Sequence, residues 1–159
     1  MHKKTDGKLV LFVCTGNSCR SVMAHNLFQK ILEEDGLDGK IKVASAGTAV
    51  RLGLKPVRGT IKVLGQEGID VRHYRSQKLS SDLLNQAELI IVMEKRHRAN
   101  LIEKSPAISR KVFLINEFLP EESFLDLPDP IGKPLSYYIK TKEKIKNCLP
   151  GVLKKVKKL

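Results

Sequence analysis

The 159-residue sequence predicts an α/β fold in which a parallel sheet is covered by helices on both faces. Two observations lead to this prediction. Apolar runs of strand type, such as residues 9–13 and 89–93, alternate with segments that repeat apolar residues at three- and four-residue spacing. The first run also ends abruptly in a short loop of small and polar residues, which leads into a helical pattern. In such sheets a functional site is expected beyond the carboxyl ends of the strands.

The first half of the chain is predicted to contain two strands and two long helices. Leu27, Phe28, Ile31 and Leu32 give the first helix one apolar face. Gly59 weakens the second helix, because glycine is a poor helix former. The predicted elements are strand 9–13, a helix ending at 34–36, strand 40–44, a loop over 45–54, and a helix from Pro56 to Gly65 or Gly68.

The second half continues the alternation and ends in a long helix. Ser80 is expected to cap a short helix, and the cationic helix should stop before Pro106. Pro150 and Gly151 are expected to break or kink the last helix. The predicted elements are a short helix after residue 80, strand 89–93, helix 95–104, strand 112–115, a loop over 120–133, and a final helix with Tyr138, Ile145, Leu149, Val152 and Val156 on one face.

Length and composition predict one domain over residues 1–159, with residues 1–7 disordered. The longest apolar runs are too short to span a bilayer, so no stable membrane association is expected. The N-terminus has no apolar segment of signal-peptide length. Three cysteines are an odd number and form no disulfide framework, which fits a reducing compartment. We therefore expect a cytoplasmic protein.

The net charge of +12 suits an anionic substrate or partner. Nucleic acid is not expected, because aromatic residues make up only 5% of the chain, tryptophan is absent, and the basic residues are dispersed. The histidines and cysteines show no zinc-like spacing, so neither a metal nor another cofactor is expected. The lysines at residues 154–158 are interpreted as a solvated helix end.

The loop after the first strand carries the clearest chemical signal. Cys14 ends the strand, Arg20 closes the loop, and the residues between them are small or polar. Because unpaired backbone N–H groups and the dipole of the next helix converge there, such a loop forms a cradle for an anion. The same field favours a cysteine thiolate, and a guanidinium binds two phosphoryl oxygens in a bidentate way. A buried structural cysteine in an ordinary strand–turn–helix is the alternative.

Residues 14–21 resemble the phosphate-binding loop of the low-molecular-weight protein-tyrosine phosphatases and their relatives, the protein-arginine phosphatases and thioredoxin-coupled arsenate reductases. The resemblance extends into the final helix and implies a three-layer domain, with a four-stranded parallel sheet flanked by helices and the phosphate loop after strand 1. It also implies that Cys14 forms a phosphocysteine intermediate and that Arg20 binds the phosphoryl group. Gly16 allows a positive φ, and Asn17 tolerates a left-handed conformation. The implied substrate-binding residues are Thr15, Gly16, Asn17, Ser18, Cys19 and Arg20.

A general acid has to reach this loop from elsewhere, because the leaving group needs a proton. Asp129, which is followed by Pro130, resembles the Asp-Pro loop that supplies the acid and then the base in the family. Asp126 is the competing carboxylate and ranks second because no proline follows it.

Three further residues are assigned supporting roles. Ser21 is expected to donate a hydrogen bond to the Cys14 sulfur, to cap the first helix, or to do both. Segments 45–48 and 68–76 also resemble the family, and the resemblance implies that Ser45 and His73 join Asn17 and Ser21 in a network that supports the phosphate loop.

The family usually has proline and glutamate where this chain has Val22 and His25, and loss of the carboxylate should make the pocket more positive. Tyrosine-directed members also place aromatic residues in the loop after the second strand and beside the Asp-Pro pair. This chain has only aliphatic and basic residues there, including Leu52 and Ile131.

The resemblance implies a phosphorylated protein substrate and a monomer or weak dimer. Phosphotyrosine is the favoured substrate. Ser18 stands where arginine phosphatases carry a hydroxyl residue, so a protein-arginine phosphatase is the main alternative. An arsenate reductase is disfavoured because no cysteine lies between Cys19 and Cys148. A non-catalytic phosphate-binding domain is disfavoured because Cys14, Arg20 and Asp129 occur together.

Overall fold

The computed structural model describes residues 7–119, 121 and 125–159. Four parallel strands form one sheet, in which the first strand lies between the second and the third and the fourth pairs with the third. This sheet confirms the predicted parallel α/β architecture. Of the segment 1–7 that was expected to be disordered, residues 1–6 lie outside the described residues. The strands are β1 (Lys8–Cys14), β2 (Ile41–Gly47), β3 (Leu89–Val92) and β4 (Val112–Leu114).

Helices cover both faces of the sheet and give the molecule three layers. In β1, Val10 and Phe12 pack into the core on one face of the sheet, whereas Leu11 and Val13 pack into the core on the opposite face. This alternation follows from the two-residue period of a strand and makes β1 apolar on both faces. The helices are α1 (Arg20–Glu34), α2 (Arg58–Gln66), α3 (Ser81–Gln86), α4 (Lys95–Lys104) and α5 (Leu135–Lys157), with short 3-10 helices at Pro106–Lys111 and Ile115–Phe118.

The strand register brings the carboxyl ends of the four strands to one edge. Cys14 pairs with Gly47 across β1 and β2, while Val92 pairs with Val13 on one side and Leu114 on the other. The loops that follow all four strands therefore begin side by side.

The second strand is longer than predicted. The sequence placed a loop at residue 45, but β2 continues to Gly47 and pairs with β1 throughout. A Cβ atom on Gly47 would lie only 2.9 Å from the backbone nitrogen of Asn17, and even closer to the carbonyl oxygen of Thr15. Glycine is therefore needed where β2 passes directly beneath the loop that follows β1.

The predicted break in the last helix is wrong, since α5 runs unbroken for 23 residues through Pro150. Its apolar face, including Ile145, Leu149 and Val152, is completely buried against the rest of the core. Burial of that face outweighs the hydrogen bond that proline cannot make. No helix within the described part of the chain is long and apolar enough to cross a membrane.

Shorter elements follow the prediction closely. Ser80 caps α3, because its hydroxyl accepts a hydrogen bond of 3.2 Å from the backbone N–H of Leu83. The cationic helix has the predicted bounds, Lys95–Lys104. The last strand ends one residue early, because Ile115 already begins a 3-10 helix.

Gly59 allows α2 to pack closely against α5, because it has no side chain at the contact, and this leads to a stability prediction. A Cβ atom at residue 59 would lie 2.7 Å from the ring of Tyr138, which is buried and has little room to move. We expect Gly59→Ala to lower the free energy of unfolding by about 1–2 kcal/mol, because overpacking exceeds the gain in helix propensity. Gly65→Ala in the same helix is the matched control, since nothing lies within 4 Å of its Cβ position. It should raise the free energy of unfolding by about 0.5–1 kcal/mol. Urea denaturation of both variants measures the difference, and equal effects would contradict the prediction.

Candidate active site

The loop between β1 and α1 is held in place by hydrogen bonds to its backbone carbonyl groups. The carbonyl oxygens of Cys14, Thr15 and Ser18 accept backbone hydrogen bonds, each 3.0 Å long, from the segment 48–57. No described residue accepts a hydrogen bond from the backbone N–H groups of residues 16–19. With the carbonyls directed outward and these donors unpaired at the start of α1, the loop has the electrostatics of an anion cradle.

Cys14 lies at the end of β1 and is 3% exposed. Its Sγ atom is 2.9 Å from the hydroxyl oxygen of Ser21. Asn17 Nδ2 donates to that same oxygen over 2.8 Å, so the Ser21 hydroxyl hydrogen is available to the sulfur. The expectation that Ser21 caps α1 is wrong, because the helix begins at Arg20 and Ser21 lies within its first turn.

Asn17 supplies the left-handed residue of the loop, with φ of 50°. Gly16 was expected to provide a positive φ but does not do so. The Asn17 side chain is completely buried, and its Oδ1 atom accepts hydrogen bonds from the backbone N–H of Gln77 at 2.9 Å and from the hydroxyl of Tyr74 at 3.3 Å. A short amide tolerates this backbone conformation and also ties the loop to a distant segment.

The supporting network contains Ser45 but not His73. The Ser45 hydroxyl bonds to the hydroxyl of Tyr74 and, over 2.9 Å, to Nδ1 of His25. Tyr74 in turn reaches Asn17. His73 is exposed and makes no hydrogen bond to any described residue, because its side chain points away where Tyr74 points inward. Tyr74 therefore occupies the place that the sequence assigned to its neighbour.

His25 does not itself make the site more positive. Burial lowers the pKa of His25 to about 4, so the ring is neutral at pH 7. The ring also packs edge-on against Tyr74, with centroids 5.7 Å apart. The residue therefore acts as a neutral hydrogen-bonding group beneath the loop.

The guanidinium of Arg20 is 1% exposed and is oriented by two other segments, which follow β3 and β4. Its Nη1 atom donates to the carbonyl oxygen of Leu127 at 2.7 Å and forms an ion pair with Glu94 at 2.9 Å. Its Nη2 atom lies 3.6 Å from a carboxylate oxygen of Asp129. Because Nη1 is held by its hydrogen bond to Leu127 and its ion pair with Glu94, Nε and Nη2 form the edge that is left for a bidentate anion.

Glu94 is a site residue that the sequence analysis missed. It follows β3 and pairs with both Arg20 and Arg96 at 2.9 Å. Burial opposes ionisation of Glu94, but the two guanidinium groups outweigh it and hold its pKa below the usual range. Its position next to the carboxyl end of β3, three residues before His97, is the signal that identifies it.

His97 connects Glu94 to the loop. Its Nδ1 atom accepts a hydrogen bond of 3.1 Å from the backbone N–H of Glu94, so the proton of the neutral ring lies on Nε2. Nε2 is 2.8 Å from the hydroxyl of Thr15, which also accepts from Arg96 at 2.9 Å. Burial and the nearby Arg20 charge lower the pKa of His97 to about 4. Thr15 is thus fixed from the side of α4.

The two candidate carboxylates have different surroundings. Asp129 faces Arg20, is partly exposed, and accepts the backbone N–H of Ile131 at 3.0 Å through its other oxygen. Asp126 instead accepts the backbone N–H of Lys95 at 2.8 Å, at the start of α4. Only Asp129 of these two is therefore directed toward the buried guanidinium.

No disulfide joins the three cysteines. Cys19 is buried beside Cys14 on the loop, and burial raises the pKa of its thiol to about 12, so it stays protonated. Cys148 is buried in α5 within the core. Among the described residues, no group of three or more His, Cys, Asp or Glu side chains is arranged to hold a metal ion.

The loops beside the site carry exposed aliphatic side chains. Leu52 and Leu54 project from the segment after β2 and are 74% and 49% exposed. Ile131, two residues after Asp129, is 49% exposed. An aromatic side chain that the sequence analysis did not assign to the site, Tyr137, lines a groove with Asp129 on the side of α5.

Comparison with known proteins shows which proteins this chain is similar to. Residues 9–159 match the family model described as "Low molecular weight phosphotyrosine protein phosphatase". A protein-arginine-phosphatase of Bacillus subtilis is 32% identical over 94% of this chain and 97% of its own length. The crystal structure of a low molecular weight protein tyrosine phosphatase from T. tengcongensis has a TM-score of 0.86 and 35% identity, covering 94% of this chain and 99% of that chain. The YwlE arginine phosphatase, solved as a mutant with a phosphorylated active site serine, has a TM-score of 0.86 and 30% identity, covering 94% and 96%.

The two neutral histidines beside the loop, His25 and His97, predict how stability depends on pH. Their folded pKa of about 4 lies below the value of 6.5 for an ordinary histidine. The unfolded chain therefore binds more protons in that window, and stability present above pH 6.5 is lost as the pH falls toward 4. We expect each histidine to contribute on the order of 3 kcal/mol to that loss.

Urea denaturation between pH 7.5 and 5 measures this dependence. His25→Gln and His97→Gln should each flatten the profile, whereas His73→Gln is the control and should retain the wild-type slope, since that side chain is exposed. If the slope of stability against pH changes as much in His73→Gln as in the other two variants, the pH dependence does not come from His25 and His97.

Proposed function

This chain belongs to the low molecular weight phosphotyrosine protein phosphatase family, and we propose that it hydrolyses phosphotyrosine in proteins through a phosphocysteine intermediate. The observation that carries the proposal is that Asp129, from the loop after β4, meets Cys14 and Arg20, from the two ends of the β1–α1 loop, at one end of the sheet. A thiol beside a hydroxyl donor, an oriented guanidinium and a partly exposed carboxylate are the groups that such a transfer requires.

In the first step the Cys14 thiolate attacks phosphorus and the bond from phosphorus to the tyrosine oxygen breaks. Ser21 stabilises the thiolate beforehand through its hydroxyl hydrogen. Nε and Nη2 of Arg20, together with the unpaired N–H groups of residues 16–19, bind the equatorial oxygens as charge develops on them. Asp129 gives its proton to the departing phenolate oxygen.

In the second step water attacks phosphorus and the bond from phosphorus to sulfur breaks, which releases inorganic phosphate. Asp129, now ionised, accepts the proton of that water. The Cys14 thiolate is regenerated, and Ser21 again stabilises it as a leaving group. Cys19 takes no part as a nucleophile, because burial keeps its thiol protonated.

Phosphoarginine is a second candidate substrate, and two observations favour it. Ser18 places a hydroxyl on the loop itself, and the exposed side chains of Leu52, Leu54 and Ile131 are aliphatic. Two of the relatives described above are named as arginine phosphatases. In that reaction the bond from phosphorus to a guanidinium nitrogen breaks, and Asp129 protonates the nitrogen.

We also propose that the chain forms one domain and acts in the cytoplasm as a monomer or weak dimer. A reducing compartment supports this chemistry, because an oxidised Cys14 cannot attack phosphorus. Size-exclusion chromatography with light scattering tests the oligomeric state directly.

The role of Asp129 is tested against that of Asp126. Asp129→Ala should lower turnover of a phosphotyrosine peptide by roughly a hundred- to ten-thousand-fold, because its phenolate needs protonation. Formation of the intermediate from p-nitrophenyl phosphate should fall less, because p-nitrophenolate is a good leaving group. Its breakdown should still be slow, so a burst of p-nitrophenol is expected in stopped-flow measurements.

The matched control is Asp126→Ala, which removes a carboxylate from the same loop but only releases the N–H of Lys95. Its effect should be much milder and should not depend on the leaving group. A larger loss in Asp126→Ala, with no dependence on leaving group in Asp129→Ala, would mean that Asp126 is the acid.

The preferred substrate is identified by comparing kcat/KM for two peptides that differ only in whether they carry phosphotyrosine or phosphoarginine. We expect the wild-type kcat/KM to be higher for phosphotyrosine, and Cys14→Ser to abolish hydrolysis of both. If the phosphoarginine peptide is preferred tenfold or more, and Ser18→Val selectively removes that preference, the second candidate is correct. If Cys14→Ser retains activity on either peptide, the phosphocysteine mechanism is wrong.

A further inference from the structure

A groove opens on the side of the Asp129 loop that faces α5. Its volume is about 260 Å³, and Leu127, Pro130 and Tyr137 line it, with Tyr137 the most exposed of the three. Lys133, Lys140 and Lys144 line the same groove. The groove therefore combines an apolar surface with cationic groups.

The helical period explains why these cations lie together. Tyr137, Lys140 and Lys144 occupy positions three and four residues apart, which places them on one face of α5. Lys133 reaches this face from the preceding loop, with Nζ 5.8 Å from the centre of the Tyr137 ring.

Two of the groove lysines, Lys133 and Lys140, differ from the lysines of α5 that face α2. Lys142 and Lys146 contact the carboxylate of Glu67 at 3.1 and 2.9 Å, so they neutralise an acid at the junction of α2 and α5. Lys133 and Lys140, in contrast, form no ion pair with any described residue. Their charges are available to a ligand.

The groove adjoins the candidate active site. Asp129 lines the groove and also lies 3.6 Å from Arg20, so the two sites share one side chain. An extended peptide advances about 3.3–3.6 Å per residue, and a residue close in sequence to one bound at Cys14 is within reach of the groove. A glutamate or aspartate fits it, with its aliphatic part on Tyr137 and Pro130 and its carboxylate among the lysines.

We propose that this groove is a substrate subsite that binds acidic side chains flanking the phosphorylated residue of a protein substrate. The inference rests on the proposed function and extends it from the phosphoryl group to the surrounding sequence. Because the lysines are close to the surface, they add selectivity among substrates rather than most of the affinity.

The test uses matched phosphopeptides that carry either two glutamates or two glutamines. In one set the pair lies on the N-terminal side of the phosphorylated residue, and in the other set it lies on the C-terminal side. For one of the two placements, wild-type kcat/KM should be about 3–10-fold higher for glutamate, mainly through KM, and the ratio should shrink in high salt. Lys140→Glu should bring this ratio to 1 or below, and Lys140→Gln should give an intermediate ratio.

Lys154→Glu is the control, because it makes the same change of charge on α5 at an exposed residue about 21 Å along the helix axis from Lys140. It should leave the glutamate-to-glutamine ratio at the wild-type value. A wild-type ratio of 1 for both placements, or an equal fall in Lys154→Glu and Lys140→Glu, would overturn the subsite while leaving the proposed function intact. Hydrolysis of p-nitrophenyl phosphate without hydrolysis of any peptide would instead refute the proposed protein substrate, and the subsite with it.

Discussion

Arg20 carries a charge that is almost entirely removed from water, and a buried guanidinium is tolerated only when its donors are paired. The partners come from the segments after β3 and β4, namely Glu94, the carbonyl of Leu127, and Asp129. One side chain thus fixes the relative positions of three loops. This arrangement ties the loops of the site to one another and leaves one edge of the guanidinium for the anion that the cradle binds.

The support beneath the loop is neutral, in contrast to the charged groups above it. His25, Ser45 and Tyr74 form hydrogen bonds that end at Asn17, and burial keeps the histidine uncharged. A charged group in that place would alter the field at Cys14. Hydroxyl and imidazole groups instead set the geometry of Asn17 without changing the balance of charge that the proposed thiolate and phosphoryl group experience.

The basic residues that give the net charge of +12 have different structural roles. Lys142 is buried and neutralises Glu67, so it contributes to packing between α2 and α5. Arg96 is paired with Glu94 and contacts the hydroxyl of Thr15. Lys140 is paired with no described acid and lines a groove that leads from Asp129. A total charge predicts attraction of anions, but the pairing of individual cations decides where an anion can bind.

The sequence by itself determined the parallel α/β fold and the position of the loop from Cys14 to Arg20, because both depend on local spacing and on short apolar runs. The preference for Asp129 over Asp126 rests on the resemblance of residues 129 and 130 to the Asp-Pro loop of the family, and in the structure Asp129 lies beside Arg20. Only the tertiary structure decided which partners complete the site. Tyr74 rather than its neighbour faces Asn17, and Glu94 reaches Arg20 across the sheet edge. His73 lies within a turn that Tyr74 closes through its backbone hydrogen bond to the carbonyl of Val71, and this turn sets which of the two side chains faces the loop. Partners distant in sequence meet only once the strands are in register. The local sequence pattern encodes neither the direction of these side chains nor the meeting of distant residues, so both depend on the packing of the folded chain.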